Sequence, residues 1–113
     1  MTDAPLKITV DSSLGAETSV VRLEGPIVIS HLFPFQTELR RQTAKLIVLD
    51  LSGAPYMDSS GLGAILNAYV SAQKNGRRLV LSGANERIRA LLQLTKVDTI
   101  VKTYPSVEAA VAG

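Results

Sequence analysis

KLIVLDLSGAPYMDSSGLGAILNAYVSAQKNG, residues 45–76, changes its hydrophobic period half-way along. KLIVLDLSG (45–53) is a short, nearly continuous apolar run. A strand covered on both faces reads this way, and such strands belong in parallel or mixed sheets with helices over them. From Leu62 the spacing becomes helical. Leu62, Ile65, Leu66, Tyr69, Val70 and Gln73 fall at i, i+3, i+4, i+7, i+8 and i+11, which predicts one inward stripe. Asn75-Gly76 supplies a left-handed stop. A buried strand, the short loop APYMD and a helix therefore follow one another.

The pattern extends outward from this unit in both directions. RRLVLSG (77–83) is a second short buried strand, and NERIRALLQLT (85–95) places Ile88, Leu91 and Leu92 on one helical face behind the N-cap candidate Asn85. TIVKTY (99–104) reads as a final short strand or an extended segment, and Pro105 opens a last helix, SVEAAVA. Upstream, LKITVD (6–11) and TSVVRLEG (18–25) alternate apolar and polar residues about the turn SSLGAE, as a hairpin does. IVIS (27–30) fits an edge strand or an extended connection after Pro26. Pro34, Phe35, Leu39 and Gln42 predict a helix over about 34–43. Strand and helix alternate through the second half. The expected fold is α/β: a mixed sheet of four to five strands with helices packed on it, the hairpin supplying edge strands. Residues 1–5 are expected to be a tail and 6–113 one domain.

Bulk composition narrows the function. A chain of 113 residues suits a single domain. A hydrophobic content of 46% against 19% charged residues supports a packed core over disorder. Twelve basic and ten acidic residues nearly balance. The densest basic pairs, Arg40-Arg41 and Arg77-Arg78, lie near element ends with no interleaved aromatics, so direct nucleic-acid binding is not expected. With no cysteine there is no disulfide and no thiolate chemistry. MTDAPLKITV lacks a basic-then-apolar leader, and no run reaches the ~18 apolar residues of a membrane helix. A cytoplasmic protein without membrane insertion is expected.

MDSSGLG (57–63) allows three readings. Asp58 or a serine is the expected N-cap of the helix, since its first N–H groups lack partners. A hydrolase nucleophile would need an elbow and a base. Met57 stands where the elbow's first glycine belongs, and the only histidine, His31, lies far upstream. No phosphate loop is present, and Gly61 and Gly63 lack a third glycine. The third reading is a serine that another protein modifies. The outward face of the helix start carries Gly61, Gly63, Ala64, Asn67 and Ala68. A partner's backbone can approach such small residues closely, or they pack beneath a loop of the same chain.

The run LIVLDLSGAPYMDSSGLGAILNAYVSAQKNGRRLVLSGANERIRALLQLTKV, followed by DTIV, resembles the STAS domains of bacterial anti-sigma factor antagonists. The resemblance spans about residues 6 to 110. It implies that Ser59, directly after Asp58, is phosphorylated by a partner that is both serine kinase and anti-sigma factor, with Ser60 a minor site. It further implies that the unmodified protein captures that partner and frees a sigma factor, that a phosphatase resets it, and that the protein is no enzyme and needs no cofactor or metal. The partner-binding residues implied are Asp58, Ser59, Ser60, Gly61, Gly63, Ala64, Asn67 and Gly25.

One stretch departs from the pattern. Relatives often follow the second strand with Gly, an acid, an apolar residue and Asp, whereas this chain reads Gly25-Pro26-Ile27-Val28. Either the partner differs, or docking uses apolar contacts from Ile27, Ile29, Leu32 and Phe33. Ile27 and Ile29 are expected to pack on the sheet, with Leu32 and Phe33 open. The same departure suits a STAS subunit of a stress-signalling or lipid-transport assembly with Ser59 unmodified. A nucleotide-binding regulatory domain is a third reading. A homodimer would form through an edge strand near 6–11 or 27–30.

Overall fold

The apolar run at 45–53 forms the central strand of a five-stranded sheet. In the computed structural model, which describes residues 4–113, the strands are β1 (Lys7–Asp11), β2 (Thr18–Glu24), β3 (Leu46–Gly53), β4 (Arg78–Ser82) and β5 (Thr103–Tyr104). They lie in chain order across the sheet. β1 and β2 pair antiparallel, and every other neighbouring pair is parallel. The helices are α1 (Leu32–Arg40), α2 (Ser59–Lys74), α3 (Glu86–Leu94) and α4 (Val107–Ala112).

Alternation along β3 shows why its first half is continuously apolar. Ile47, Leu49 and Leu51 enter one core with Phe35 and Leu39 of α1, Leu62 and Ile65 of α2, and Ile88 and Leu92 of α3. Val48 points the other way and joins Val20, Val80 and Ala110 of α4. Both faces are dry from Ile47 to Leu49, so no polar alternation appears there. Each such side chain contributes about 1.5–3 kcal/mol on burial.

The face under α4 becomes polar at the register row Arg22, Asp50, Ser82. Arg22 pairs with Asp11 at 2.8 Å and approaches Asp50 at 3.6 Å. The Ser13 N–H also donates to Asp11, at 2.8 Å. These Ser13 and Arg22 donors hold the Asp11 carboxyl well below the usual carboxylate range. A depressed folded-state pKa gives stability that is present above the unfolded value and lost as pH falls through the folded one. Asp11→Asn is therefore expected to lower the unfolding midpoint at neutral pH. Its deficit should shrink as pH falls below about 3.9. Denaturant titrations across the acid range check this, and a deficit independent of pH would count against it.

Four local expectations are revised. Of the two alternatives for residues 27–30, the edge strand is not formed; they make a connection in which Ile27 has a single bridge to Met57, and it is extended only as far as Val28, because Ile29–His31 form a 3-10 turn. α1 starts at Leu32 and ends at Arg40. Gln42 lies beyond its end, where its amide donates to the Glu38 carbonyl at 3.0 Å and its Oε1 accepts from the Ser19 hydroxyl at 2.6 Å. β5 is only two residues long, because Val97–Thr99 form another 3-10 turn after Lys96 adopts φ 62°. On α2, Val70 is 50% exposed and Gln73 is exposed, while Gly61, Ala64 and Ala72 are buried. The inward face is rotated toward the small residues because α1 packs along that flank, where larger side chains would hold the helices apart.

Candidate functional site

Two loops meet at the carboxyl ends of β2 and β3. After β3, the Ala54 N–H bonds the Leu51 carbonyl at 3.0 Å and turns the chain. The segment after β2 is then laid against this loop. The Ile27 N–H donates to the Tyr56 carbonyl, and the Asp58 N–H donates to the Ile27 carbonyl, both at 3.1 Å. Asn85 braces the loop from the far side. It caps α3 by accepting from the Ile88 N–H at 2.9 Å and donates to the Pro55 carbonyl at 3.0 Å. The Arg87 guanidinium sits over the Tyr56 ring, 5.0 Å from its centroid, a favourable cation–π placement.

Asp58 joins these pieces. It is the N-cap of α2, and its Oδ1 accepts from the Ser60 N–H at 3.0 Å and the Gly61 N–H at 3.1 Å. Its Oδ2 accepts from the Ile29 N–H at 3.1 Å. One carboxylate thus caps the helix and anchors the incoming segment. Asp58→Ala is expected to cost about 1–3 kcal/mol, more than an isolated cap, because the Ile29 amide loses its partner too. Urea unfolding measures this, and a loss within a few tenths of a kcal/mol would show that water replaces all three bonds.

Ser59 is the first residue of α2, and it is exposed. Its hydroxyl has no hydrogen bond among the described residues. Ser60 is half-buried. Gly63 and Asn67 follow Ser59 at i+4 and i+8, so they continue one accessible stripe. Gly61 and Ala64 do not belong to it. Ala64 is 4% exposed, and a Cβ on Gly61 would lie 2.5 Å from the Ile27 carbonyl oxygen. The expectation that both lie on the outward face is therefore corrected: Gly61 is covered by Ile27, which crosses the first turn, and Ala64 faces α1. Gly25 likewise has a conformational reason for its identity, with φ +122° and the Pro5 carbonyl packed against it.

The approach segment, whose Ile29 N–H is held by Asp58, carries exposed apolar side chains. Ile27 is buried as expected, and Leu32 is half-buried against the core. Ile29 is 67% exposed, contrary to the expectation that it packs, because its backbone is held to Asp58 in a tight turn that points its side chain outward. Phe33, four residues on, is 78% exposed. Hydrophobic spacing could not reveal this, since an exposed and a buried isoleucine look alike in sequence. The ring of His31 hydrogen-bonds the Ala4 carbonyl at 2.7 Å, a structural role. Among the described residues no group of three or more His, Asp or Glu side chains is placed to hold a metal, and no helix is long and apolar enough to cross a membrane.

The sequence matches the STAS domain family over residues 7–110. The chain belongs to the STAS domain family. A Thermotoga maritima protein provisionally named an anti-sigma factor antagonist is 30% identical over 109 residues, covering 94% of this chain and 92% of its relative. An anti-sigma factor antagonist from Mycobacterium paratuberculosis has the same fold, with a TM-score of 0.85 at 21% identity over 98% of this chain and 97% of that one. The STAS domain of a Vibrio cholerae SulP transporter superposes with a TM-score of 0.71 at 29% identity, covering 88% of this chain and 81% of that one. In this STAS domain the βα loop after β3 presents Ser59, while Asp58 and Gly61 hold the loop's shape.

Proposed function

We propose that this STAS domain is a phosphorylation-switched antagonist of an anti-sigma factor, with Ser59 the phospho-acceptor. The observation that carries the reading is an exposed, unbonded hydroxyl at the first position of α2, next to the Asp58 that holds the exposed Ile29 segment. The unmodified domain captures a serine kinase that is also the anti-sigma factor and so frees a sigma factor in the cytoplasm. Phosphorylation releases the kinase, and a phosphatase restores capture. The domain catalyses nothing itself, and Ser60, half-buried under the cap, is at most a minor acceptor. Ser59, Ser60, Gly63 and Asn67 are the contact residues, with Ile29 and Phe33 added. Asp58, Gly61, Ala64 and Gly25 act through the loop's shape.

The relatives named as antagonists support this role. The physical chemistry of the site also suits it. A phosphate adds about −1.5 to −2 charges. At a helix N-terminus the dipole tolerates that charge by roughly 0.3–1 kcal/mol. Asp58 already takes the Ser60 and Gly61 N–H groups, so the added charge stays outward rather than rearranging the turn.

Isolating the chain from its source and mapping its phosphopeptides tests the proposal, together with capture of partners by wild type and by Ser59→Asp. A phosphate on Ser59 and an ATP-binding partner retained only by wild type are expected. A second reading rests on Gly25-Pro26-Ile27-Val28, which lacks acids, and on the apolar pair that follows. On that reading the domain is a subunit of another STAS-containing assembly. Capture of one membrane or stress complex by both forms, with Ser59 unmodified, would favour it.

A further inference from the structure

A cavity of about 310 Å³ opens between α1 and α2, above β3 and β4. Its floor is aliphatic, built from Leu39, Ile47, Ala64, Ala68, Ala72 and Leu79. The alanines of α2 create the space, since larger residues there would fill it. The polar rim carries Gln36, Arg40, Gln42, Asn67, Ser71 and Arg77, with the Gln42 amide already bonded to Ser19 and Glu38. The Arg77 Nε donates to the Thr43 carbonyl at 3.1 Å, which fixes that guanidinium and leaves its other N–H groups free. Arg40 comes from the opposite wall and makes no ion pair among the described residues. No acid lines the cavity. Glu38, on α1, lies outside the lining: its carboxylate accepts from the amide of Gln42, which does line the cavity, at 3.4 Å and pairs with Arg41 at 3.7 Å.

The volume lies at the lower end of the range for small-molecule sites, and an apolar floor with a few convergent polar groups is their usual chemistry. Charge complementarity identifies the ligand's head: two arginines, three amides and a hydroxyl suit a carboxylate. The floor identifies its body. No aromatic side chain lines the cavity, so a nucleobase would find nothing to stack on. We infer that the α1–α2 cavity binds a medium-chain aliphatic carboxylate, with the chain over Ala64, Ala68 and Ala72 and the head between Arg40 and Arg77. This site stands independently of the Ser59 reading.

Decanoate, titrated below its micelle concentration into the isotope-labelled domain, tests it by amide chemical shifts. Saturable shifts confined to residues 36–40, 64–72 and 77–79 are expected. Arg40→Gln with Arg77→Gln should weaken binding about tenfold or more, and decanol should bind correspondingly worse than decanoate. Ala68→Leu should block binding while the domain remains folded by circular dichroism. Shifts that never saturate, shifts scattered over the surface, or equal affinity for decyltrimethylammonium would overturn the inference. Tighter binding of GTP or ATP at the same amides would overturn the assigned ligand class.

Discussion

Ser59→Asp is expected to weaken capture of the anti-sigma partner by roughly thirty-fold to several-thousand-fold, while the unfolding curve of the domain barely moves. The large effect arises at the interface. In the proposed interface a carboxylate would enter a desolvated contact, where an unpaired charge costs on the order of 2–5 kcal/mol. The small effect arises in the fold. Ser59 is exposed at the start of α2, where the helix dipole favours negative charge by a few tenths of a kcal/mol. Ser59→Ala should bind as wild type does and resist release by the kinase. Calorimetry or surface-capture kinetics with the purified partner measures the ratio. Equal affinity of the aspartate and alanine forms would remove the switch from the proposal.

Gly61→Ala is expected to destabilise the domain by about 2–3 kcal/mol, although alanine is the better helix former by about 1 kcal/mol. The new methyl would lie 2.5 Å from the Ile27 carbonyl oxygen and 2.7 Å from the Ile27 Cγ2. Relief requires lifting the segment that carries Ile27, and with it the Asp58–Ile29 bond. Partner binding should fall with stability. Gly63→Ala is the matched control. Nothing lies within 4 Å of its Cβ position, so the ordinary helix preference should appear as a gain of about 0.5–1 kcal/mol. Urea unfolding of both variants decides the matter, because two glycines two residues apart should give opposite signs. Effects of the same sign would show that the close approach of Ile27 does not set the geometry of this loop.

Much of the fold is legible locally. The continuous apolar run at β3, the alternation at β1 and β2, and the cap and stop around α2 each follow from covalent geometry and side-chain burial acting over a few residues. The same locality marked Asp58 as a cap. It could not place TIVKTY, where a left-handed Lys96 leads into a 3-10 turn and shortens β5. Nor could it orient α2, because the apolar count on two flanks of that helix is similar and only contact with α1 selects the alanine side.

The candidate site divides the same way. By itself the sequence determined the α/β layering, the capped helix start and the serine beside Asp58, since each rests on a periodic pattern or on the unmet N–H groups of one turn. Only the tertiary structure decided that Gly61 and Ala64 are buried, that Ile29 and Phe33 are bare, and that a cavity opens beside the contact of α1 with α2. Those outcomes depend on Ile27 crossing the first turn of α2 and on one helix lying along another. Such contacts join residues about thirty positions apart, and no local spacing records which side of a helix a distant segment will cover.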